Sequence, residues 1–284
     1  MEHKMEYACK FENLSLSYGG ENVLTGINGT LAQGNALALI GPNGSGKTTL
    51  LRSILRLCKV TSGKLTVLNS TNPQDYKHNI GYVPQVADLD PAFPITVKQV
   101  VMMGLYPRIG WFRLPKAKHK KAVIEALKKV DMLDKMNKKF GTLSGGQQQR
   151  ILVARAFISK PKILLLDEPF NGLDQPNRKA LLDIIDSLKK EKISIIVSTH
   201  DLDLAYAVCE KVLIVKNHQI AFGDIKDTLT GENIARAYGA NTHEYEEMNL
   251  GNNISFGLSD TKKDTDEMNS KSKNTTNSTG VTKC

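Results

Sequence analysis

Apolar residues recur along the chain in two rhythms. Phe11-Glu12-Asn13-Leu14-Ser15-Leu16-Ser17-Tyr18 alternates apolar and polar positions and runs into Gly19-Gly20, as a half-buried strand entering a turn would. Short strands are predicted over residues 22–24, 26–32 and 35–40, the last apolar throughout from Ala36 to Ile40, as a central parallel strand buried on both faces would be. Leu50, Leu51, Ile54, Leu55 and Cys58 then fall at helical spacing, so a helix should open near Gly46. Residues 66–68 and 80–83 read as further strands. From 86 to 143 the texture becomes polar and helical, with prolines at 91, 94, 107 and 115, which marks a helical insertion. The first pattern then returns. A helix is predicted over 147–158 and a strand over 163–166. A helical face follows at Leu181, Ile184, Ile185 and Leu188, then strands at 195–197 and 213–215. Strands alternating with helices imply an α/β fold with a parallel sheet and crossover connections.

From Asn249 the pattern disappears. Of the last 36 residues 25 are Asn, Thr, Ser, Lys or Gly, and Phe256 is their one aromatic, so this stretch is expected to be disordered. Elsewhere the composition is that of an ordinary globular protein: 284 residues, 40% apolar and 24% charged. The net charge of +9 is concentrated. Residues 113–139 carry ten basic and three acidic side chains, and the remainder is nearly neutral. A general nucleic-acid coat is therefore not indicated, and the basic stretch reads as a solvated helix face with Val123, Leu127 and Val130 inward. Contact with anionic lipid is its alternative. Cys9, Cys58, Cys209 and Cys284 are too far apart for a disulfide framework or a structural zinc site. No apolar run is long enough to span a membrane, and residues 1–11 lack an apolar signal core, so the chain is expected to serve a membrane only peripherally, from its cytoplasmic face.

Two constellations carry chemistry. Gly41-Pro42-Asn43-Gly44-Ser45-Gly46-Lys47-Thr48-Thr49 fits the phosphate-binding pattern G-x-x-x-x-G-K-[ST] between a buried strand and a helix. Glycines let the backbone wrap phosphate oxygens, the helix start supplies free N–H groups, Lys47 supplies charge, and Thr48 offers a hydroxyl to Mg²⁺. Downstream, 163–166 ends in Asp167-Glu168. Asp167 would hold the Mg²⁺ shell opposite Thr48, and Glu168 would act on the attacking water as general base. Alone, the loop says only that the chain is a P-loop nucleotide hydrolase or transferase.

Leu143-Ser144-Gly145-Gly146-Gln147 lies between these sites and resembles the signature of ATP-binding cassette (ABC) ATPases. It offers a second anion site at a helix start. The resemblance spans about residues 9–241 and implies an ABC ATPase domain over 1–241 with a RecA-like core, an N-terminal antiparallel β subdomain and a helical subdomain over about 86–143; it does not cover the C-terminal extension at 242–284, which is expected to be mostly disordered. It implies that Tyr18 stacks on adenine, that Gln85 contacts Mg²⁺ or the attacking water, that Asp174 lies on a loop crossing a dimer interface, and that His200 touches the γ-phosphate. ATP and Mg²⁺ are the implied ligands. A head-to-tail homodimer would hold each ATP between one copy's P-loop and the signature residues Ser144, Gly145, Gly146 and Gln147 of the other. The partners implied are integral-membrane permease subunits, contacted near residues 85–111, and indirectly an extracytoplasmic solute-binding protein.

A narrower similarity is carried by Phe93-Pro94-Ile95-Thr96-Val97, by Val100-Val101-Met102-Met103-Gly104-Leu105-Tyr106, and by Leu229-Thr230-Gly231-Glu232-Asn233-Ile234. These strings look like the ATPases of bacterial zinc, manganese or iron uptake systems. Siderophore, haem and cobalamin importers carry a related stretch. None of these strings is itself a metal site. Met102-Met103 reads as helix packing, and His78, His119 and His243 lack partners at ligand spacing. A soluble ABC clamp on nucleic acid or ribosomes would call for tandem cassettes or a long coiled-coil insertion. A small-molecule kinase has no use for the signature or for His200.

Overall fold

The structure, a computed structural model, describes residues 6–18, 20–85, 93–110 and 113–239. The stretch from Asn249 expected to be disordered, His243, Cys284 and the Trp111 end of the contact region lie outside the described residues. In chain order the elements are β1 (Tyr7–Tyr18), β2 (Glu21–Ala32), β3 (Ala36–Ile40), α1 (Lys47–Ile54), β4 (Lys59–Val67), α2 (Pro73–Tyr76) and β5 (Ile80–Val83). The insertion contributes α3 (Val97–Met103), α4 (Tyr106–Ile109) and α5 (Ala117–Lys129). Then come α6 (Gly145–Phe157), β6 (Ile163–Asp167), α7 (Gln175–Lys190), β7 (Ser194–Ser198), α8 (Leu202–Val208), β8 (Lys211–Val215), β9 (Gln219–Asp224), α9 (Ile225–Thr228) and α10 (Gly231–Tyr238).

The strands form an antiparallel sheet of order β2-β1-β4 and a six-stranded sheet of order β5-β6-β7-β3-β8-β9. Alternation of side chains along the central strands builds two cores. Leu37 and Leu39 of β3 join Leu50, Leu51 and Ile54 of α1 and Leu14 and Leu16 of β1 on one face. Ala36, Ala38 and Ile40 join the helices of the insertion, α6 and α7 on the other. Burial on both faces is why β3, β6 and β7 read as unbroken apolar runs. In the insertion Val123, Leu127 and Val130 all point inward, as their spacing predicts.

Four details depart from the sequence reading. Residues 22–24 and 26–32 form one strand, β2, with a register shift near Gly26, whose φ is +68°. Strand β4 starts at Lys59, well before residue 66, because it is an edge strand with a largely solvated polar face. Helix α1 stops at Ile54 and excludes Cys58, since Arg56 takes a left-handed φ of +59°. The main sheet is not wholly parallel: β9 pairs antiparallel with β8 and closes one edge. Edge strands lack a buried pair of faces, so their hydropathy signal is weak.

Candidate active site

The site forms where β3, β6 and β7 end side by side. Gly46, with φ of +101°, turns the chain into α1 without a side-chain cap, which leaves the first-turn N–H groups for an anion. The Lys47 ammonium folds back over this loop and donates to the carbonyls of Gly41 at 2.7 Å and Pro42 at 3.0 Å. It lies 3.8 Å from Glu168 Oε1, and both side chains are buried. Burial pushes the Lys47 ammonium below its usual pKa, opposed by the Glu168 and Asp167 carboxylates. Ser45 Oγ is buried and has no hydrogen-bond partner among the described residues, and Gly44 has open space above its Cα. Asn43 and Gly44 are exposed at the loop's rim. An orphaned hydroxyl, free amides and a lysine around one hollow fit a polyphosphate. Thr49 follows Thr48 in the first turn of α1, and its carbonyl accepts from Cys58 Sγ at 3.4 Å.

The acidic pair is held by β7. Asp167 and Ser198 are paired in register, and Ser198 Oγ donates to Asp167 Oδ1 at 2.6 Å. Thr48 Oγ1 donates to the same oxygen at 3.2 Å, so the hydroxyl and carboxylate expected to hold Mg²⁺ do adjoin. Glu168 then takes φ of +45°, a left-handed conformation that costs a non-glycine residue about 1–3 kcal/mol. Its N–H is fixed by Ser198 Oγ at 3.0 Å and Ser198 O at 3.1 Å. This turn lets adjacent residues present both carboxylates to one side. Gln85 Nε2 donates to Glu168 Oε2 at 3.4 Å, and His200 Nδ1 stands 3.6 Å from that oxygen. Lys47, Thr48, Gln85, Asp167, Glu168 and His200 thus meet in one cluster.

A second group lies around α6 and α7. Ser144 caps α6, its hydroxyl accepting from Gln147 N at 3.4 Å while Gln147 Oε1 accepts from Ser144 N at 3.2 Å. The helix opens at Gly145, two residues earlier than predicted. Gly145 has free space beside it, whereas a Cβ on Gly146 would fall 2.3 Å from Asn177 Cγ. Asn177 donates from its N and Nδ2 to Asp174 Oδ1, at 3.1 and 2.6 Å, and Asp174 caps α7. Among the described residues no hydrogen bond or ion pair joins this group to the Glu168 cluster. Tyr18 stands apart, 58% exposed, with the Arg52 guanidinium 6.0 Å from its ring centroid. His119 has a local duty, its Nδ1 accepting from Lys116 N at 3.0 Å at the start of α5. Sequence reasoning missed Ser198, Asn177 and the Arg178–Asp201 ion pair. Their signal is adjacency across strands and helices, which spacing along the chain does not carry.

The sequence pattern of the ABC transporter family matches residues 24–171, just over half the chain. The chain belongs to the ABC transporter family. It is 36% identical over 237 residues to the manganese transport system ATP-binding protein MntB of Halalkalibacterium halodurans, covering 84% of this chain and 94% of that one. It is 36% identical over 230 residues to the chelated iron transport system membrane protein YfeB of Yersinia pestis, covering 80% and 78%. An ABC transporter solved in an inward-facing conformation superposes with a TM-score of 0.73 at 33% identity, over 81% of this chain and 88% of that one. This ABC protein is an ATP-hydrolysing enzyme, with the P-loop fold that binds ATP and Mg²⁺. No helix among its described residues is long and apolar enough to cross a membrane.

Proposed function

We propose that this ABC ATPase powers uptake of a divalent metal ion, manganese, iron or zinc, through separate permease subunits that it joins at the cytoplasmic face of the membrane. The observation that carries the enzymatic part is the convergence of Lys47, Gln85 and His200 on the Glu168 carboxylate beside the Thr48–Asp167 pair. Lys47 and His200 bind the γ-phosphate, and Gln85 orients the attacking water. Glu168 takes a proton from that water as its oxygen bonds to phosphorus and the bond to the departing ADP breaks. Thr48 and Asp167 would hold Mg²⁺, which when bound would supply charge neutralisation on the transferring phosphoryl group.

Ser144 to Gln147 and Asp174 lie outside this cluster, which supports a homodimer in which they cap the ATP of the other copy. A groove of about 300 Å³ between β5, α3, α4 and α6 lies just before Gln85, lined by Tyr82, Met103, Gly104, Pro107 and Arg108 among others. It offers a seat for a permease segment, through which a change at Gln85 reaches the membrane. An extracytoplasmic solute-binding protein then delivers the ion to the permease. The cargo reading is supported by the manganese and iron relatives and by the strings around Phe93 and Leu229.

The test is Glu168→Gln, which keeps the side chain's shape and removes its basicity. Turnover falls about 10²–10⁴-fold, and an ATP-bound dimer accumulates in gel filtration. Wild-type turnover overturns the role of Glu168. Cells lacking the chain, or carrying Glu168→Gln, should lose one of zinc, manganese or iron in elemental mass spectrometry, and the intact chain should restore it. Unchanged metal content under metal-limited growth overturns the cargo and points to a chelate or cobalamin importer.

A further inference from the structure

His200 is 60% exposed at its side chain, and its one ion-pair partner among the described residues is Glu168, whose Oε2 lies 3.6 Å from Nδ1. Its position therefore comes from the residues on either side. Thr199 is buried and donates its N–H to Leu39 O at 3.1 Å. Asp201 is held from two elements at once. One carboxylate oxygen accepts from Leu204 N at 3.0 Å and caps α8, and the other pairs with the Arg178 guanidinium. Arg178 lies in the first turn of α7, behind the Asp174 cap. Arg178 and Asp201 also line one cavity of about 180 Å³ together with Glu168 and His200.

We propose that Arg178 is a positioning residue for hydrolysis, fixing the His200 loop against α7 through its ion pair with Asp201. Magnitudes favour this over a purely structural role. The pair retains side-chain exposures of 27% and 20%, and ion pairs open to solvent add little to stability. Displacing a group at a reacting centre by about 1 Å, in contrast, can cost up to about a hundredfold in rate. A guanidinium fork suits such bracing because it presents donors in a fixed plane. The proposal rests on the reading of Glu168 and His200 as hydrolytic groups.

The experiment measures ATP turnover and KM on the full chain, with single-turnover hydrolysis for weak variants and thermal unfolding alongside. Arg178→Met should lower kcat about tenfold, with KM for ATP and Tm little changed. Asp201→Asn keeps the helix cap and loses the charge pair, so it should match that loss, and the double variant should be no worse than either single. In a His200→Ala background Arg178→Met should do nothing more, a result that a merely structural role would not produce. Arg178→Lys, which keeps the charge and loses the fork, should retain an intermediate rate, and it replaces Arg178→Met if that variant fails to fold. Wild-type kcat in Arg178→Met and Asp201→Asn, multiplicative losses in the double variant, or an undiminished further loss without His200 would each overturn the proposal. So would a fall in kcat that tracks a fall in Tm. Wild-type turnover in His200→Ala, where Arg178 is intact, would instead overturn the site assignment on which the proposal stands.

Discussion

Ser198 sits between the two acidic residues and serves both. Its buried hydroxyl donates to Asp167 Oδ1 at 2.6 Å and accepts from Glu168 N at 3.0 Å. Ser198→Ala removes both bonds, and the Ser198 and Asp167 side chains are buried, so solvent does not replace them there. The Glu168 N–H keeps a second acceptor, the Ser198 carbonyl at 3.1 Å, so the loss falls mainly on Asp167. A hydrogen bond to a charged group contributes about 1.5–3 kcal/mol. At about 2–4 °C per kcal/mol for a domain of this size, Tm should fall by about 3–12 °C. Asp167 then loses its shortest bond and keeps the longer one from Thr48, at 3.2 Å, so its carboxylate is less well aimed. Removing a group that orients a metal ligand costs about 10–100-fold in metal affinity. The Mg²⁺ concentration for half-maximal ATP turnover should rise by about that factor, with turnover largely recovered at high Mg²⁺. The assays are thermal unfolding without nucleotide and phosphate release across a Mg²⁺ titration. A double-mutant cycle with Asp167→Asn should show coupling of about 1 kcal/mol between the two sites. A Tm within about 1 °C of wild type together with an unshifted Mg²⁺ titration would refute the reasoning.

Gly146→Ala tests the second cluster. The new methyl would fall 2.3 Å from Asn177 Cγ, and displacing Asn177 breaks its 2.6 Å bond to Asp174. Overpacking of about 1–3 kcal/mol outweighs the gain of up to about 1 kcal/mol in helix propensity. ATP-dependent dimerisation measured by light scattering should weaken while ATP still binds the monomer, and an unaltered dimer would sink the assignment. Tyr18→Ala should weaken ATP binding about five- to tenfold, the equivalent of roughly 1 kcal/mol of ring stacking, with kcat at saturation preserved. Equal ATP affinity by calorimetry would remove Tyr18 from the site.

The P-loop and its setting were legible because each needs contiguous residues. The fully buried run of Ala36–Ile40, the turn through Gly46 and the helical rhythm from Leu50 are local patterns, and local patterns survive in one dimension. The same holds for Asp167-Glu168 behind an apolar strand and for Ser144-Gly145-Gly146 at the start of a helix. The solvated edge strands β4 and β9 were harder to read. Strand β4 pairs with β1, far back in the chain, and β9, although it turns straight back on β8, has no fully buried residue to mark it.

Hydrophobic periodicity and motif spacing by themselves determined the α/β class, the helical insertion, the P-loop and the acidic pair, while Tyr18, Gln85, Asp174 and His200 were expected only from the resemblance to ABC ATPases. The tertiary structure alone decided that Ser198 clamps both acids, that Asn177 wedges against Gly146, and that Arg178 reaches Asp201. The physical reason is range. Strand and helix signals come from neighbours within a turn or two, whereas Asp167 and Ser198 are 31 residues apart in the chain and meet only because β6 and β7 lie in register in one sheet.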